Sequence, residues 1–499
     1  MVPTLIHCLA SHSNPYFCSI RFLSSPLTEA PPPPRPVLPE PPDVQQYTSP
    51  LLWSYQRKSV TTVIACGVTV MAAYAAGECA PAFDQLQQAW GVERLPYNLS
   101  TTLFTLGFAV TPMVLAPFSE SCGRRPVFLT SGVLFTICLA GCGASDSLAG
   151  LLVGRFFLGV SGSSFSSIVG GVISDIYANH ERNVPMALFS GATLFGTGVG
   201  PLISSVIAFR TTLRWICYSQ AIASAGPKFL NNYIGRMEEA GHYGVVMGPD
   251  HAQLGDRTVR VRYGVDTENK SISLRDKLIW SCSRPFTFLF TEPVVFFFSL
   301  WVAFSWAVLY LNFGSIPLVF STTYGFNLEE TGAIFTVIAV CSMLATLLNI
   351  YQEKLAIKYN LLPTTVEARL YFACIESVLL PIGLFCFGWT AQPAIHWIVP
   401  ALGVGCAIVG IFSIYLATFN YLADAYQEYA SSAIAAQSFC RNLLGGIFPL
   451  VTNPMFSNLR YGPAASLWGG LALTLAPWVL VASAPKIREK SNFARGNSS

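Results

Sequence analysis

Long apolar runs of about membrane-crossing length alternate with short polar turns over most of this chain, and that alternation predicts its elements. A helix needs roughly 20 mostly apolar residues to cross about 30 Å of hydrocarbon. In the first half, the runs 60–83, 99–118, 127–143, 148–173 and 184–209 meet that requirement. In the second half, 294–319, 332–350, 370–389, 397–419, 432–456 and 464–484 do so. An all-α membrane protein is expected. The halves are separated by a polar segment, 228–284, that carries nine Lys or Arg residues. The resulting division is a disordered, Pro-rich cytoplasmic tail over 1–58, which holds APPPPRPVLPEPP, and a helical bundle over 59–226. A cytoplasmic central loop over 227–285, a six-helix bundle over 286–485 and a cytoplasmic tail over 486–499 follow. The first 25 residues lack a basic start and are not read as a signal peptide.

Basic residues in the loops set orientation. They fall at Arg57 and Lys58, Arg124 and Arg125, Arg182, the central segment, Lys354 and Lys358, and Lys486, Arg488 and Lys490. These are alternate loops only if a sixth crossing precedes Lys228; both termini are then cytoplasmic. Yet only WICYSQAIASAGP, 13 residues, separates Arg214 from Lys228. As a helix that is about 20 Å, short of the bilayer core. The charge pattern thus implies two six-helix bundles with the sixth helix truncated in this sequence. An internal repeat supports two parallel halves. ISDIY places Asp175 26 residues before Pro201, and LADAY places Asp424 25 residues before Pro449.

Composition agrees. Hydrophobic residues make up 52% of the chain and charged ones 11%, against about 25% charged in soluble proteins. A net charge of +3 gives no case for a nucleic-acid partner. The 14 cysteines are scattered with no CxxC or Cys/His spacing, so neither a disulfide framework nor a metal site is expected. No phosphate loop or catalytic triad is apparent, and no enzyme activity or cofactor is expected.

Four places carry candidate chemistry. Arg155, in RFFLGVSG, lies inside the fourth span, where an ionisable residue marks function by default. Glu78 lies six residues before Asp84 at the outer end of the first span, and Arg155 seven residues after Leu148 at the outer end of the fourth. Both are about 10 Å deep, so they are expected to meet; the plain alternative is a purely structural tie between helices. Ala116–Pro126, APFSESCGRRP, joins two spans by a tight turn carrying Glu120, Gly123, Arg124 and Arg125. GATLFGTGVGP in the fifth span offers Gly191, Gly196, Gly198 and Gly200 for close helix approach and Pro201 for a bend. In the second half, Arg441 is placed near mid-membrane, and Trp306, Tyr310, Asn312 and Tyr415 suit a cavity lining, though most such aromatics only pack. Asn98-Leu99-Ser100 is a glycosylation sequon. It abuts the second span, so poor use is expected.

With these residues in view, the chain resembles the major facilitator superfamily. The closer resemblance is to the twelve-span fungal drug:proton antiporters, often labelled polyamine or multidrug transporters. The loop, the RF-x-x-G fourth span and the glycine-rich fifth span carry it, with RPF-x-x-LF-x-EP at Arg284–Pro293 and VEARL at Val366–Leu370. Ala116 and Ser121 depart mildly from the loop pattern, and the family's acidic-Thr-Arg-Gly ending of the sixth helix is missing. The resemblance implies proton-driven export of small organic molecules by alternating access, in a monomer at the plasma membrane or the vacuolar membrane. Small-molecule substrate, protons and the lipid bilayer are the partners it implies. Uptake or facilitated passage of a metabolite, and a transport-dead product lacking its sixth helix, remain open.

Overall fold

The computed structural model describes residues 8–11, 14–20, 53–122, 124–178, 181–224, 251–254, 257–260, 274–359, 368–426 and 430–474. The chain divides into two compact units. One holds Met1–Trp53 and Gly235–Trp280, the other Ser54–Ile234 and Ser281–Ser499. In the first, Cys8–Ser11 (β1) pairs antiparallel with Asn14–Ile20 (β2), and His251–Leu254 (β3) with Arg257–Arg260 (β4). The first hairpin falls within residues 1–58, the stretch expected to be a disordered tail. The proline tract and residues 486–499 lie outside the described residues.

The second unit is helical. Its first half contains α1 (Tyr55–Gly77), α2 (Arg94–Cys122), α3 (Arg124–Ala144), α4 (Leu148–Ile176), α5 (Asn183–Arg210) and α6 (213–224). Its second half contains α7 (Pro293–Tyr324) and α8, which runs Leu328–Ile334 and resumes as Thr336–Lys358. There follow α9 (Ala368–Glu376, then Leu379–Thr390), α10 (Ile398–Tyr426), α11 (Ala430–Leu459) and α12 (Tyr461–Thr474). Among the described residues, ten helices are long and apolar enough to cross a membrane. They correspond to the first ten expected runs. The eleventh is described only as α12, and the remainder of that run lies outside the described residues.

Local chemistry sets several ends. Ser147 accepts a bond from the Gly150 N–H at the start of α4. Asn327 and Glu330 form a reciprocal capping box on α8. Gly325, at φ 69°, closes α7 in the left-handed conformation. The first helix stops at Gly77, earlier than its apolar run, because Pro81 has no N–H for the Gly77 carbonyl. A short 3-10 turn over Ala80–Ala82 and the helix Phe83–Trp90 follow. That break lands on Glu78.

The helix contacts repeat between the halves. The pairs α1·α5, α2·α4 and α3·α4 of the first recur as α7·α11, α8·α10 and α9·α10 in the second. Across the interface α2 packs on α11 and α5 on α8, a pattern that maps onto itself when the halves are exchanged. The expected repeat fits this equivalence: Asp175 and Asp424 fall on α4 and α10, Pro201 and Pro449 on α5 and α11. Glycine permits the closest approaches. A Cβ on Gly159 of α4 would collide with the Phe104 carbonyl of α2. On α5, one at Gly196 or Gly200 would meet the Val70 or Tyr74 carbonyl of α1 at 2.6 or 2.5 Å. Gly191 and Gly198 instead face Thr346 and Ala339 of α8. The glycine-rich helix is therefore close-packed on two sides, one within its own bundle and one across the interface.

Residues 213–224 are all that is described of the sixth helix. Arg214 pairs with Asp146 at one end, and Ser224 bonds Thr136 of α3 at 3.2 Å at the other. From Thr136 to Arg124, α3 continues for twelve more residues, about 18 Å. Gly226 lies outside the described residues.

Candidate functional site

The break after Gly77 leaves backbone carbonyls without helical donors. Arg155, projecting from α4, fills one of these positions: its Nη1 donates to the Ala75 carbonyl at 2.8 Å and to Glu78 Oε1 at 2.9 Å. The Tyr97 hydroxyl donates to the Cys79 carbonyl. Glu78 and Arg155 are both completely buried. Their attraction is held by a single bond, with Glu78 Oε2 and Arg155 Nε and Nη2 unpartnered. The other side of the guanidinium lies 4.7 Å from the centre of the Phe104 ring. A fully buried ion pair held by one bond is poorly compensated.

Toward the Arg210 end of α5, the pair is covered by an apolar cluster. It includes Cys79, Leu86 and Tyr97, together with Leu213, Ile216 and Cys217 of α6. The described part of α6 is therefore part of the lid over the acid.

On its other side, Phe104 reaches a cavity between the bundles. The wall combines Thr69, Ala73, Phe104 and Phe108 of the first half with Trp306, Tyr310, Arg441 and Asn442 of the second. Its 20 Å³, measured to the centre of a water-sized sphere, is room for one or two waters. Both ends are bridged across the bundles. At one end Asn420 donates to Asn183 Oδ1 at 2.5 Å and Arg182 pairs with Asp424 at 3.5 Å. At the other, Asn98 donates to the Pro449 carbonyl at 3.0 Å, Thr102 to the Gly446 carbonyl at 2.8 Å, and Arg210 pairs with Glu329 at 2.9 Å. The conformation is closed at both ends.

Of the expected lining residues, Trp306, Tyr310 and Arg441 are on the wall; Asn312 and Tyr415 are not. Asn312, two residues past Tyr310, is turned about 200° around α7. Tyr415 stands behind, stacked on Trp306 with ring centres 5.0 Å apart. Phe189 of α5 packs on Tyr415 and Phe419 of α10, an aromatic contact across the interface. Glu376, the acid inside the second half, accepts bonds from Gln352 at 2.6 Å and from Ser413, and is not on the wall. Glu120 lies in the last turn of α2 and Arg124 and Arg125 open α3, while Gly123 is outside the described residues. The sequon is poorly placed as an acceptor: Asn98 is inside α2 with its amide engaged, and Ser100 is buried. Among the described residues no group of His, Cys, Asp and Glu has metal-site geometry.

Two related helical bundles thus meet at an interface that exchanging them maps onto itself, with a cavity at that interface. Comparison with solved structures agrees on the fold. The proton:xylose symporter XylE superposes with TM-score 0.61 at 14% identity, over 86% of this chain and 97% of that one. The human organic anion transporter MFSD10 superposes with TM-score 0.57 at 15% identity, over 86% and 100%. Among curated relatives, the efflux pump atB of Aspergillus terreus is 33% identical over 396 residues, 77% of this chain and 83% of its own. The multidrug transporter mdrA of Aspergillus fumigatus is 30% identical over 435 residues, 86% and 71%. The multidrug transporter FLR1 of Candida glabrata is 28% identical over 459 residues, 89% and 82%. The family model described as Major Facilitator Superfamily matches residues 61–449, and the chain belongs to that family of membrane transporters.

Proposed function

We propose that this protein exports small organic molecules in exchange for protons by alternating access. The observation that carries the proposal is the buried Glu78–Arg155 pair, in contact through Phe104 with the cavity between the bundles. A proton on Glu78 Oε2 weakens its hold on Arg155. The guanidinium then shifts against Phe104, and the cavity wall moves with it. Cargo entering the cavity pushes the same contact the other way, so proton and cargo compete through one ring. Relatives named efflux pumps and multidrug transporters favour export. The plasma membrane, or the vacuolar membrane, is the site of action on this reading, with the Arg182–Asp424 end of the cavity cytoplasmic by its basic loops. The protein acts as a monomer.

In proteoliposomes, cargo movement is expected to drive protons the opposite way. Protons moving with cargo, or cargo moving without protons, would favour the uptake or facilitated-passage reading. The transport-dead reading draws its support from the sequence, which leaves only 13 residues between Arg214 and Lys228 for the sixth crossing.

The turn between α2 and α3 governs switching on this account, since it stands at the bundle end, away from the cavity. Changing Arg124 and Arg125 together to alanine is expected to slow turnover while equilibrium cargo binding stays within about twofold, a few tenths of a kcal/mol. Binding measured in detergent and turnover measured in liposomes check this. A large loss of binding at unchanged turnover per bound cargo would contradict it.

A further inference from the structure

If the cavity is where cargo sits, as the export reading requires, its charge decides what it accepts. Arg441 is the one charged side chain on its described wall and is 1% exposed. The guanidinium lies 4.5 Å from the Trp306 ring centre and 5.0 Å from that of Tyr415. Its hydrogen bonding is nearly vacant: Nη2 has a long 3.4 Å contact with Ser438 Oγ, and Nε and Nη1 have no partner. Among the described residues, no carboxylate is within ion-pair distance of it. One turn earlier on the same face of α11, Gln437 is fully buried with neither amide atom bonded. The Tyr415 hydroxyl is also unpartnered.

A buried cation without a counter-ion is costly, and two ring faces offset only part of that cost. The first half differs, because its arginine is already matched by Glu78. What Arg441 lacks on the described wall is a negative charge with acceptor oxygens, set against aromatic surface from Trp306, Tyr310 and Phe104. We propose that the cargo is a small aromatic anion, its charged group bound by Arg441 and its ring stacked on Trp306 and Tyr310. A planar guanidinium with free donors suits a carboxylate or sulfonate. A cationic drug or a polyamine finds no acid on this wall, and Glu78 is taken by Arg155.

The test uses benzenesulfonate, ionised throughout and so unable to leak as a neutral acid, beside benzyltrimethylammonium, which has the same ring and opposite charge. Native protein in liposomes is expected to move the sulfonate and not the ammonium. Arg441→Gln is expected to lose sulfonate transport by about 10- to 100-fold, the worth of a charge-assisted bond; Arg441→Lys keeps part of it. In detergent, benzenesulfonate is expected to raise the melting temperature of the native protein and, less, of Arg441→Lys, which gives a readout even if Arg441→Gln does not insert. Movement of the ammonium without the sulfonate, or undiminished sulfonate movement by Arg441→Gln, overturns the anion assignment and leaves export standing. Movement of neither ion by inserted native protein overturns both.

Discussion

Replacing Glu78 with glutamine is expected to abolish proton-coupled export and leave the protein inserted. The amide keeps the side chain's volume and can still accept the Arg155 Nη1 bond, now 2.9 Å long, but it cannot carry the proton. Efflux driven by a pH gradient, measured against expression level, reads this out; undiminished efflux with its pH dependence intact would remove Glu78 from the mechanism. Arg155→Ala is expected to be worse. It strips the carboxylate of its charge partner, the Ala75 carbonyl of its donor and Phe104 of its cation. Breaking a buried pair from one side costs about 3–5 kcal/mol, enough to cut the amount of folded protein several-fold. The double change Glu78→Gln, Arg155→Met removes both charges and is expected to recover expression without transport. That outcome separates coupling from folding: a structural tie alone would let the neutral pair transport.

The second large effect concerns the sixth helix. Between Arg214 and Lys228 the chain has 13 residues, about 20 Å as a helix, against about 30 Å of hydrocarbon. Stretching a short segment across hydrocarbon is not open to the chain, because unpaired backbone groups there cost several kcal/mol each. Poor insertion in cells, and with it low efflux per cell, is therefore expected of the 499-residue form, unless about 20 apolar residues are supplied between Ala225 and Lys228. The retained part still includes Leu213, Ile216 and Cys217, which cover Glu78. A lengthened variant is thus expected to gain insertion without altering the coupling pair. Transcript sequencing across that junction shows whether such a segment exists. Labelling of Lys270 and Lys490 in intact cells shows whether both face inward. Protection of both, with robust efflux from this form, would contradict the expectation.

The ion pair was legible in the sequence because depth can be counted. Asp84 and Leu148 mark the outer ends of two antiparallel runs, and offsets of six and seven residues bring Glu78 and Arg155 level. The first ten apolar runs were legible because hydrophobic length leaves few alternatives. The break at Glu78 was hidden inside one of those runs, although Pro81 signalled it. Phe104 carried no signal at all, since an aromatic in an apolar run looks the same whether it packs or lines a cavity. Asn312, grouped with Tyr310, is off the described wall because a two-residue step turns a helix position to the far side. Asn183, Asn420 and Asn349 were also unreadable as a set. They meet only when three helices from two bundles converge, and no local pattern encodes that.

Proton exchange through Glu78 is tested most directly with liposomes that carry the native protein and a pH-sensitive dye in the lumen. Benzenesulfonate or benzyltrimethylammonium, whichever the protein moves, is added on one side, and the internal pH is followed as cargo enters. The account predicts proton movement opposite to the cargo with the native protein and none with Glu78→Gln. Cargo movement by native protein with no change in internal pH, or the same proton movement from Glu78→Gln, would contradict it.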